Sequence, residues 1–338
     1  MHNKTIVFTK LNTAEFLDTP LPDVTGRLVK VRTAISTVSC GTEKANITGS
    51  QNTGVFQNGQ PVFPRILGYS SAGIVEEIGE EVKSVKPGDR AIVYWGLHKQ
   101  FNIVDESCVV KIGDDASFEE AALAFIATFP MAAIRKTRLE LGEPMLVMGL
   151  GLLGQLAVRL ARAAGAMPIV AADPVDLRRE EALAGGADYA FDPTAPDFAE
   201  KVKAVTGGGA AAAIEVTGVG AGLDGALDCM AKFGRIALLG CTRDPNFTID
   251  YYRKVHCPGI TLIGAHTNAR PTSESYPGYH THRDDIRDVL KLCAGGRLDL
   301  VSMIRETHRP DDCGEVYTRL IDDPAFPIVV QFDWRNIQ

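Results

Sequence analysis

Three glycines stand at a spacing that suits phosphate binding. Gly149, Gly151 and Gly154 follow the apolar segment PMLVM and open a segment with helical periodicity. In a G-x-G-x-x-G turn the first glycine permits a tight turn, the second lets the backbone approach a pyrophosphate, and the third lets helix and strand pack closely. The helix N-terminus adds a dipole that favours the phosphate. We therefore predict a dinucleotide-binding turn, in which Leu152 and Leu153 are the first helical contacts.

An acidic residue follows at the distance that such a turn requires. The next apolar segment, PIVAA, ends in Asp173, near the expected distance of about 20 residues. Its carboxylate can accept hydrogen bonds from ribose hydroxyls and would repel a 2′-phosphate, so NAD(H) is favoured over NADP(H). The alternative is that Arg178 or Arg179 binds such a phosphate. NAD is the predicted cofactor, and Arg178 is one of its predicted contacts.

The elements around these residues alternate between strand and helix. From about residue 120 to 265 an apolar strand, a glycine and an amphipathic helix repeat, which is typical of βαβ units around a parallel sheet. We predict strands at Pro144–Met148, Met167–Ala172, Tyr189–Phe191, Ala211–Glu215, Arg235–Leu239 and Ile260–Ile263. The predicted fold class is α/β, with a Rossmann doubly wound parallel sheet in this part of the chain.

The flanking parts of the chain have a different pattern. Residues from about 4 to 115 form short β segments broken by turns such as Val85–Arg90, which predicts a small barrel. A helical segment, Asp284–Gly296, and a final strand, PIVVQF, fall outside the parallel sheet, and we expect them to return to the barrel. The predicted domains are residues 1–125 with 267–338, and residues 126–266.

The composition argues against several classes of partner. The 338 residues are 45% hydrophobic and 23% charged, with a net charge of −7 and no basic block, which argues against nucleic acid. No segment has the roughly 18 apolar residues of a membrane span, and the N-terminal segment lacks the apolar stretch of a signal peptide. We expect a cytoplasmic protein with no membrane partner. Seven scattered cysteines without a C-x-x-C pair indicate reduced thiols.

The order of these parts, and several motifs within them, resemble a known family. The motifs are SCGTE (Ser39–Glu43), LGYSSAGIVEEIGEEVKSVKPGDR (Leu67–Arg90), GLGLLG, IEVTG (Ile214–Gly218) and GRIALLG (Gly234–Gly240). They resemble those of the medium-chain dehydrogenase/reductase family, the zinc alcohol dehydrogenases and their relatives, over nearly the whole chain. The resemblance implies a GroES-like β-barrel for the first domain. GYSSAGIVEEIG with the S-x-GTE element is similar to the bacteriochlorophyllide-dehydrogenase-like branch.

The resemblance also implies a catalytic zinc, for which this sequence lacks the ligands. Such a zinc needs three protein ligands. Cys40 matches the family's first cysteine, but Gly68–Ser70 replaces the usual Gly-His-Glu, and Ala124 falls at the third ligand position. The family's structural zinc lobe has four cysteines, where this chain has only Cys108. We therefore expect a member of the family that binds no metal.

Without zinc, another group must support the substrate oxygen during hydride transfer. The resemblance places three candidates at the former metal site: Tyr69 as a phenol donor, Thr42 where relatives keep a proton-relay hydroxyl, and Glu43. Cys40 is a further candidate, with a role as a small core residue as its alternative. His266 follows the last predicted strand, where the family's chain passes the nicotinamide, and is a candidate acid or base. Tyr69 is preferred, although it could simply fill the volume left by a lost metal.

The resemblance assigns further cofactor contacts. Thr217 and Val219 follow the fourth predicted strand, at the carboxyl edge where open α/β sheets bind ligands, and we expect them near the adenine half. The other matched positions line the rest of the cofactor, with Thr128 beside the nicotinamide ring: Thr128, Leu153, Leu239, Gly240 and Cys241.

Four functions remain open at this point. The first is a zinc-free, NAD(H)-dependent oxidoreductase that interconverts an alcohol and a ketone or aldehyde. The second is a zinc-independent enoyl or quinone reductase, which Asp173 disfavours because such reductases prefer NADPH. The third is a zinc-dependent alcohol dehydrogenase with an unusual ligand set, such as Cys40, Glu43 and His266. The fourth is a nucleotide-binding protein without catalysis.

The last predicted strand bears on assembly. Members of the resembling family commonly pair through this strand, and Cys257–Ala265 is apolar enough to form such an edge. We expect a homodimer or dimer-based tetramer that acts on a small-molecule substrate. Beyond this strand, His280 and His282 form an H-x-H pair, but without a nearby cysteine such a pair more often caps a helix or meets solvent than binds a metal.

Overall fold

The computed structural model describes residues 2–54 and 56–337 of the chain. Two compact units are present: one comprises the chain up to Ile126 together with Ile286 onward, and the other is Ala127–Asp285. Residues 267–285, which the sequence analysis assigned to the barrel, therefore group with the second unit. Arg270 shows why, because its guanidinium donates to the Asp285 carboxylate at 3.1 Å and to the carbonyl oxygen of Thr128 at 2.9 Å.

Short strands dominate the N-terminal part of the first unit, as its turn-rich sequence predicts. The strands are β1 (His2–Lys10), β2 (Thr13–Pro20), β3 (Leu28–Thr37), β4 (Phe56–Gln57), β5 (Gln60–Pro61), β6 (Arg65–Ile66), β7 (Ser70–Ile78), β8 (Arg90–Tyr94), β9 (Phe101–Asp105) and β10 (Val109–Lys111). Helix α1 (Cys40–Ile47) follows β3, and helix α2 (Phe118–Thr137) follows β10.

The second unit is built on a parallel sheet. Its strands are β11 (Met145–Met148), β12 (Ile169–Ala172), β13 (Tyr189–Phe191), β14 (Ala210–Glu215), β15 (Met230–Leu238) and β16 (Thr261–Gly264). Its helices are α3 (Leu152–Ala164), α4 (Asp176–Ala184), α5 (Phe198–Thr206) and α6 (Gly220–Asp228). The strand order is β13-β12-β11-β14-β15-β16 and every pairing is parallel. The predicted Rossmann-type sheet is confirmed.

Burial explains why these strands could be predicted from the sequence. All four residues of β11 and all four of β12 are buried, as expected when helices cover both faces of a parallel sheet. Such strands are continuous apolar runs. β15 begins at Met230, earlier than the predicted Arg235, because Met230 already pairs with Ala210 before an irregularity in the register.

The C-terminal part of the chain begins with α7 (His282–Ala294) and continues with β17 (Glu306–His308), α8 (Cys313–Asp322) and β18 (Val330–Asp333). β18 pairs antiparallel with β3, with Gln331 opposite Thr37, which confirms the predicted return of the final strand. The sequence analysis missed α8. This helix buries Tyr317 against Phe8, with the ring centroids 4.8 Å apart.

The main sheet of the first unit has the order β10-β8-β7-β3-β18-β17, and β9 pairs with β3 as well. A smaller sheet has the order β2-β1-β6. Because β3 pairs with three strands, its residues are buried almost throughout. Among the described residues, no helix is both long enough and apolar enough to cross a bilayer.

Candidate active site

The three glycines of the G-x-G-x-x-G turn occupy the positions that their motif requires. Gly149 has φ +97°, a left-handed conformation that favours glycine. A Cβ on Gly154 would lie 1.9 Å from the carbonyl oxygen of Gly149, so only glycine lets α3 approach the strand. A Cβ on Gly151 would meet nothing within 4 Å, which leaves open space beside its backbone. Leu152 is buried and Leu153 is half-buried at the start of α3.

Asp173 follows β12 and ties the glycine turn to the next loop. Its carboxylate accepts hydrogen bonds from the backbone N–H groups of Leu150 and Val175, each at 2.9 Å. Arg178 Nη1 lies 3.7 Å from this carboxylate. Arg179 instead donates to the Asp173 carbonyl oxygen at 2.6 Å and pairs with Asp176. Of the two arginines, Arg178 is therefore the one beside the predicted ribose position.

The carboxyl ends of β14 and β15 carry the other predicted cofactor contacts. Leu239 is buried, Cys241 is exposed, and Val219 is exposed at the start of α6. A Cβ on Gly240 would lie 2.4 Å from the nitrogen of Gly218, so the two loops approach closely. Thr217 lies beside Gly149, since its Cγ2 is 2.9 Å from the position of a Cβ there. These residues line one edge of the sheet together with the glycine turn.

Glu215, which was quoted only as part of a family motif, organises this edge. Its carboxylate accepts from the backbone N–H of Thr217 at 2.8 Å, from that of Gly218 at 3.2 Å and from the Thr217 hydroxyl. Burial raises the pKa of Glu215, and these hydrogen bonds oppose the rise only in part. The carboxyl group therefore acts as a cap for the β14–α6 loop.

Thr128 and His282 contact one another inside the second unit. Thr128 is fully buried and its Oγ1 is 3.3 Å from His282 Nδ1. Burial, together with the charge of Arg270, lowers the pKa of His282 to about 3. His280 is separate from this contact, with its Nδ1 3.6 Å from Asp285. Thr128 is thus a neighbour of His282, and Asp285 a neighbour of His280.

His266 lies in an exposed loop directly after β16. Its Nδ1 accepts a hydrogen bond from the backbone N–H of Asn268 at 3.2 Å. Its other ring nitrogen has no hydrogen-bond partner among the described residues, and the acid or base role of His266 stays a prediction.

In the first unit, Tyr69 shares a hydrogen bond with a residue that the sequence analysis did not select. The Tyr69 hydroxyl bonds the Oγ of Ser39, which directly precedes α1. The Tyr69 ring packs at 5.8 Å from Trp95 and at 6.0 Å from Phe125, measured between ring centroids. Ser39 lies within the quoted SCGTE motif, and its hydroxyl was the only signal available.

Glu43 lies beneath this pair and is completely buried. Its carboxylate accepts from the backbone N–H of Ser39 at 2.8 Å, from His98 Nε2 at 3.2 Å and from the Tyr317 hydroxyl at 2.5 Å. Burial alone would raise the pKa of Glu43, but the charge of His98 and these hydrogen bonds outweigh it and lower the pKa. In this position Glu43 holds other residues in place and presents no free oxygen to a substrate.

The network continues from His98 to the C-terminal strand region. His98 Nδ1 lies 2.7 Å from Ser36 Oγ, which accepts from Trp334 Nε1 at 2.9 Å. Because the ionised Glu43 can only accept, His98 Nε2 carries a proton. Sequence reasoning missed His98, Ser36, Tyr317 and Trp334, since they are distant in the chain and form no local motif.

Cys40 and Thr42 lie in the first turn of α1. The Cys40 sulfur lies 3.6 Å from the carbonyl oxygen of Ile328 and 3.8 Å from that of Pro327. Thr42 is half-buried. Its carbonyl oxygen accepts from the Asn46 side chain at 2.9 Å. The structure thus brings Cys40, Thr42, Glu43 and Tyr69 around one helix N-terminus.

This donor set does not fit a catalytic zinc. Tyr69 stands where the family resemblance implies a histidine, Ala124 is fully buried without a ligand atom, and the Glu43 oxygens already accept from three donors. Within the described ranges, Cys40 and Glu43 belong to no group of three His, Cys, Asp or Glu side chains that could share an ion. Cys40 alone cannot supply the three ligands that such a zinc needs.

Comparison with known proteins agrees with this architecture. Residues 22–125 match the family model of the alcohol dehydrogenase GroES-like domain, and residues 153–293 match that of the zinc-binding dehydrogenases. D-guloside 3-dehydrogenase of Escherichia coli (strain K12) is 26% identical over 259 residues, which are 76% of this chain and 73% of that protein.

Solved structures share the fold over nearly the whole chain. The 2R,3R-butanediol dehydrogenase of Bacillus subtilis gives a TM-score of 0.82 at 22% identity, covering 98% of this chain and 99% of that one. A zinc-binding dehydrogenase from Sinorhizobium meliloti 1021, bound to NADP, gives a TM-score of 0.79 at 19% identity and covers 98% of this chain and 99% of that one. The two units are therefore a GroES-like domain and a Rossmann domain.

The chain belongs to the medium-chain dehydrogenase/reductase family of alcohol-dehydrogenase-like proteins. It is an NAD(P)-dependent dehydrogenase of the class that acts on CH–OH donors. The family resemblance expected from the sequence is confirmed.

Replacing Glu43 by glutamine tests the buried network. We expect the free energy of unfolding to fall by about 3 kcal/mol near neutral pH, because glutamine presents an N–H group to the donors that Glu43 accepts from, and an unsatisfied buried polar group costs about 1–3 kcal/mol. The pKa of Glu43 is lowered by folding from its ordinary value of 4.5, so its stabilisation is present above that value and is lost as the pH falls through the folded pKa. Urea unfolding at several pH values should show the gap in unfolding free energy between wild type and Glu43→Gln narrowing as the pH falls below about 4.5.

A suitable control is Glu15→Gln, since Glu15 is exposed on β2 of the same unit. This variant should keep the stability of the wild type throughout that range. A gap between wild type and Glu43→Gln that does not change with pH would contradict the assigned role.

Proposed function

We propose that the protein is an NAD(H)-dependent oxidoreductase that interconverts a secondary alcohol and a ketone without catalytic zinc. The observation that carries the proposal is the hydrogen bond between Tyr69 and Ser39, at a place where the resemblance implies a metal ligand. The 26% identical relative is named a D-guloside 3-dehydrogenase, and a sugar hydroxyl at carbon 3 is a secondary alcohol. This supports the choice of a secondary over a primary alcohol.

The reduction of a carbonyl group requires a proton donor for its oxygen. NADH, when bound at the glycine turn, supplies the hydride. The Tyr69 hydroxyl donates its proton to the carbonyl oxygen as negative charge develops there. Ser39 Oγ–H then donates a hydrogen bond to the phenolate that remains, until a solvent proton restores the phenol. Oxidation of the alcohol follows the same steps in reverse.

The preference for NAD over NADP rests on Asp173. Its buried carboxylate lies at the end of β12, and a 2′-phosphate there would meet a second negative charge. Arg178 Nη1 is 3.7 Å from Asp173 and balances this carboxylate. Gly151 supports binding of the pyrophosphate, because the space beside its backbone is open.

We further propose that two copies pair through β16, and that the pair is the functional homodimer or half of a tetramer. β16 is the edge of the parallel sheet and has no described neighbour on its outer side. Thr261, Leu262 and Gly264 are exposed there. A short strand with free N–H and C=O groups can pair with its own copy across a two-fold axis.

Replacing Tyr69 by phenylalanine tests the proton donor. We expect kcat for a secondary alcohol to fall by about 10²- to 10⁴-fold, the usual contribution of a general acid, with NADH affinity unchanged. Ser39→Ala should lower kcat by about tenfold, because one supporting hydrogen bond is lost. Steady-state kinetics and NADH titration provide the two readouts.

Tyr94→Phe is the matched control, since Tyr94 is a buried tyrosine of the same unit whose hydroxyl donates to the Ser107 carbonyl oxygen. Elemental analysis of the active protein completes the test. Stoichiometric zinc, combined with loss of activity on chelation, would refute the zinc-free mechanism.

The dinucleotide site is tested at Gly151 and Asp173. Gly151→Ala should weaken NADH binding about tenfold without lowering the melting temperature, since a methyl group fits the free protein but meets the pyrophosphate. Asp173→Ser should reduce the ratio of NADH to NADPH affinity by about tenfold. Calorimetric titration measures both. Gly225→Ala is the control for Gly151→Ala and should leave NADH binding unchanged, because its Cβ would meet only Met148 Cε at 3.8 Å. Equal NADPH and NADH affinities in the wild type would exclude the NAD preference.

A charged residue introduced on β16 tests whether two copies pair through this strand. Leu262→Glu places a carboxylate on the exposed edge of each copy, and like charges across the axis should produce monomers in light scattering after gel filtration. Leu141→Glu, at a residue that is 86% exposed elsewhere on the same unit, should leave the mass unchanged. A dimer that survives Leu262→Glu would place the interface elsewhere.

A further inference from the structure

Trp95 has a backbone conformation that is costly for a bulky residue. Its φ is +59°, in the left-handed region that favours glycine. It directly follows β8 (Arg90–Tyr94) in the first unit. Strain of this kind persists only where the surrounding structure fixes it, and it occurs most often at ligand sites.

Hydrogen bonds on both sides of Trp95 fix this conformation. The Trp95 N–H donates to the Tyr69 carbonyl oxygen at 3.0 Å, and the His98 N–H donates to the Leu67 carbonyl oxygen at 2.8 Å. Between them, Asn102 clamps the loop. Its Oδ1 accepts from the Leu97 N–H at 2.7 Å and its Nδ2 donates to the Leu97 carbonyl oxygen at 3.0 Å.

Burial does not account for the strain. The Trp95 side chain remains 40% exposed, although tryptophan in a core would be almost fully covered. The indole packs edge-on against Phe125, with the ring centroids 5.1 Å apart, and the centroid of the Tyr69 ring lies 5.8 Å from that of Trp95. The loop therefore holds an aromatic surface that is partly open to solvent beside the Tyr69 ring.

We propose that the exposed surface of Trp95 is a stacking platform for the ring of a polyhydroxylated substrate, a pyranose or a similar cyclic polyol. The proposal rests on the proposed function, because it assigns the substrate class of the same site. The C–H groups on one face of a pyranose carry partial positive charge and pack well on the negative face of an indole. Its hydroxyls, at the rim of the ring, need polar partners. Tyr69, whose ring packs against Trp95, carries a hydroxyl that is hydrogen-bonded to Ser39.

Tryptophan fluorescence reports directly on this contact. The chain has two tryptophans, of which Trp334 is 2% exposed, so an emission change on adding a sugar reports mainly on Trp95. We expect methyl pyranosides to change the emission of the wild type and of Tyr69→Phe in a saturable manner. Trp95→Phe, in which only the buried Trp334 emits, should give no change. This readout does not depend on turnover.

Kinetics provide the second test. Trp95→Ala should raise KM for methyl pyranosides by about tenfold, a loss consistent with one aromatic contact, whereas Trp95→Phe should keep most of the affinity. Because Trp95 also packs against Tyr69, kcat is expected to fall for every substrate. KM is the readout, and for 2-propanol, which has no ring to stack, KM should change less than about twofold. Phe233→Ala is the matched control, since Phe233 is also an aromatic residue with positive φ (+63°) and is 77% exposed, but lies in the second unit.

The outcomes separate this inference from the proposed function. The platform would be overturned if the protein turned over alcohols but methyl pyranosides gave no saturable emission change and Trp95→Ala left the pyranoside KM unaltered. The dehydrogenase assignment would then remain intact. A preference for benzyl alcohol over every pyranoside would also overturn it. Saturable, Trp95-dependent binding of pyranosides by a protein without turnover would support the platform while the proposed reaction failed.

Discussion

The buried carboxylate of Glu43 is the interaction on which the first unit's site depends. It accepts hydrogen bonds from three parts of the chain that are far apart in sequence: the Ser39 backbone, His98 and Tyr317. A buried ionised group is tolerated only when its oxygens are satisfied and a cation lies close. Because these partners fix the start of α1, they also fix the Ser39 hydroxyl and, through it, Tyr69. In the proposed mechanism, proton donation by Tyr69 thus depends on the charge of Glu43, which does not touch the substrate.

Two carboxylates in the second unit also hold backbone segments in place. Asp173 and Glu215 each accept backbone N–H groups of a loop at the carboxyl edge of the sheet. Burial raises the pKa of both groups. For Glu43 the charge of His98 and the hydrogen bonds from His98, Tyr317 and Ser39 together outweigh burial and lower the pKa, whereas for Glu215 only neutral donors oppose burial and the pKa is raised. An acidic residue of this kind replaces the missing backbone partners where a strand ends and a tight turn begins.

The sequence was sufficient for the parallel sheet and its glycine turn because those signals are local. Fully buried strands are apolar runs, and Gly149 and Gly154 are required by φ and by contact with the neighbouring backbone. Tyr69 was found from its place in a family motif. His98, Tyr317 and Trp334 could not be found, since each is recruited by tertiary contacts across more than 50 residues. The strain at Trp95 was equally invisible, because a backbone angle leaves no pattern in the side chains around it.

In the proposed mechanism a phenol takes the place of a metal, and this changes what the protein must provide. A zinc ion attracts the substrate oxygen strongly from a fixed point and tolerates small errors of placement by coordination. A neutral hydroxyl is a weaker electrophile, and its effect depends on distance and angle. The rigidity of the surroundings therefore has to compensate. Ser39 restrains the Tyr69 hydroxyl, Trp95 and Phe125 restrain its ring, and Asn102 restrains the loop that carries Trp95. The hydrogen bonds that hold Trp95 in a costly conformation are, on this argument, part of the same restraint that makes a tyrosine adequate for the reaction.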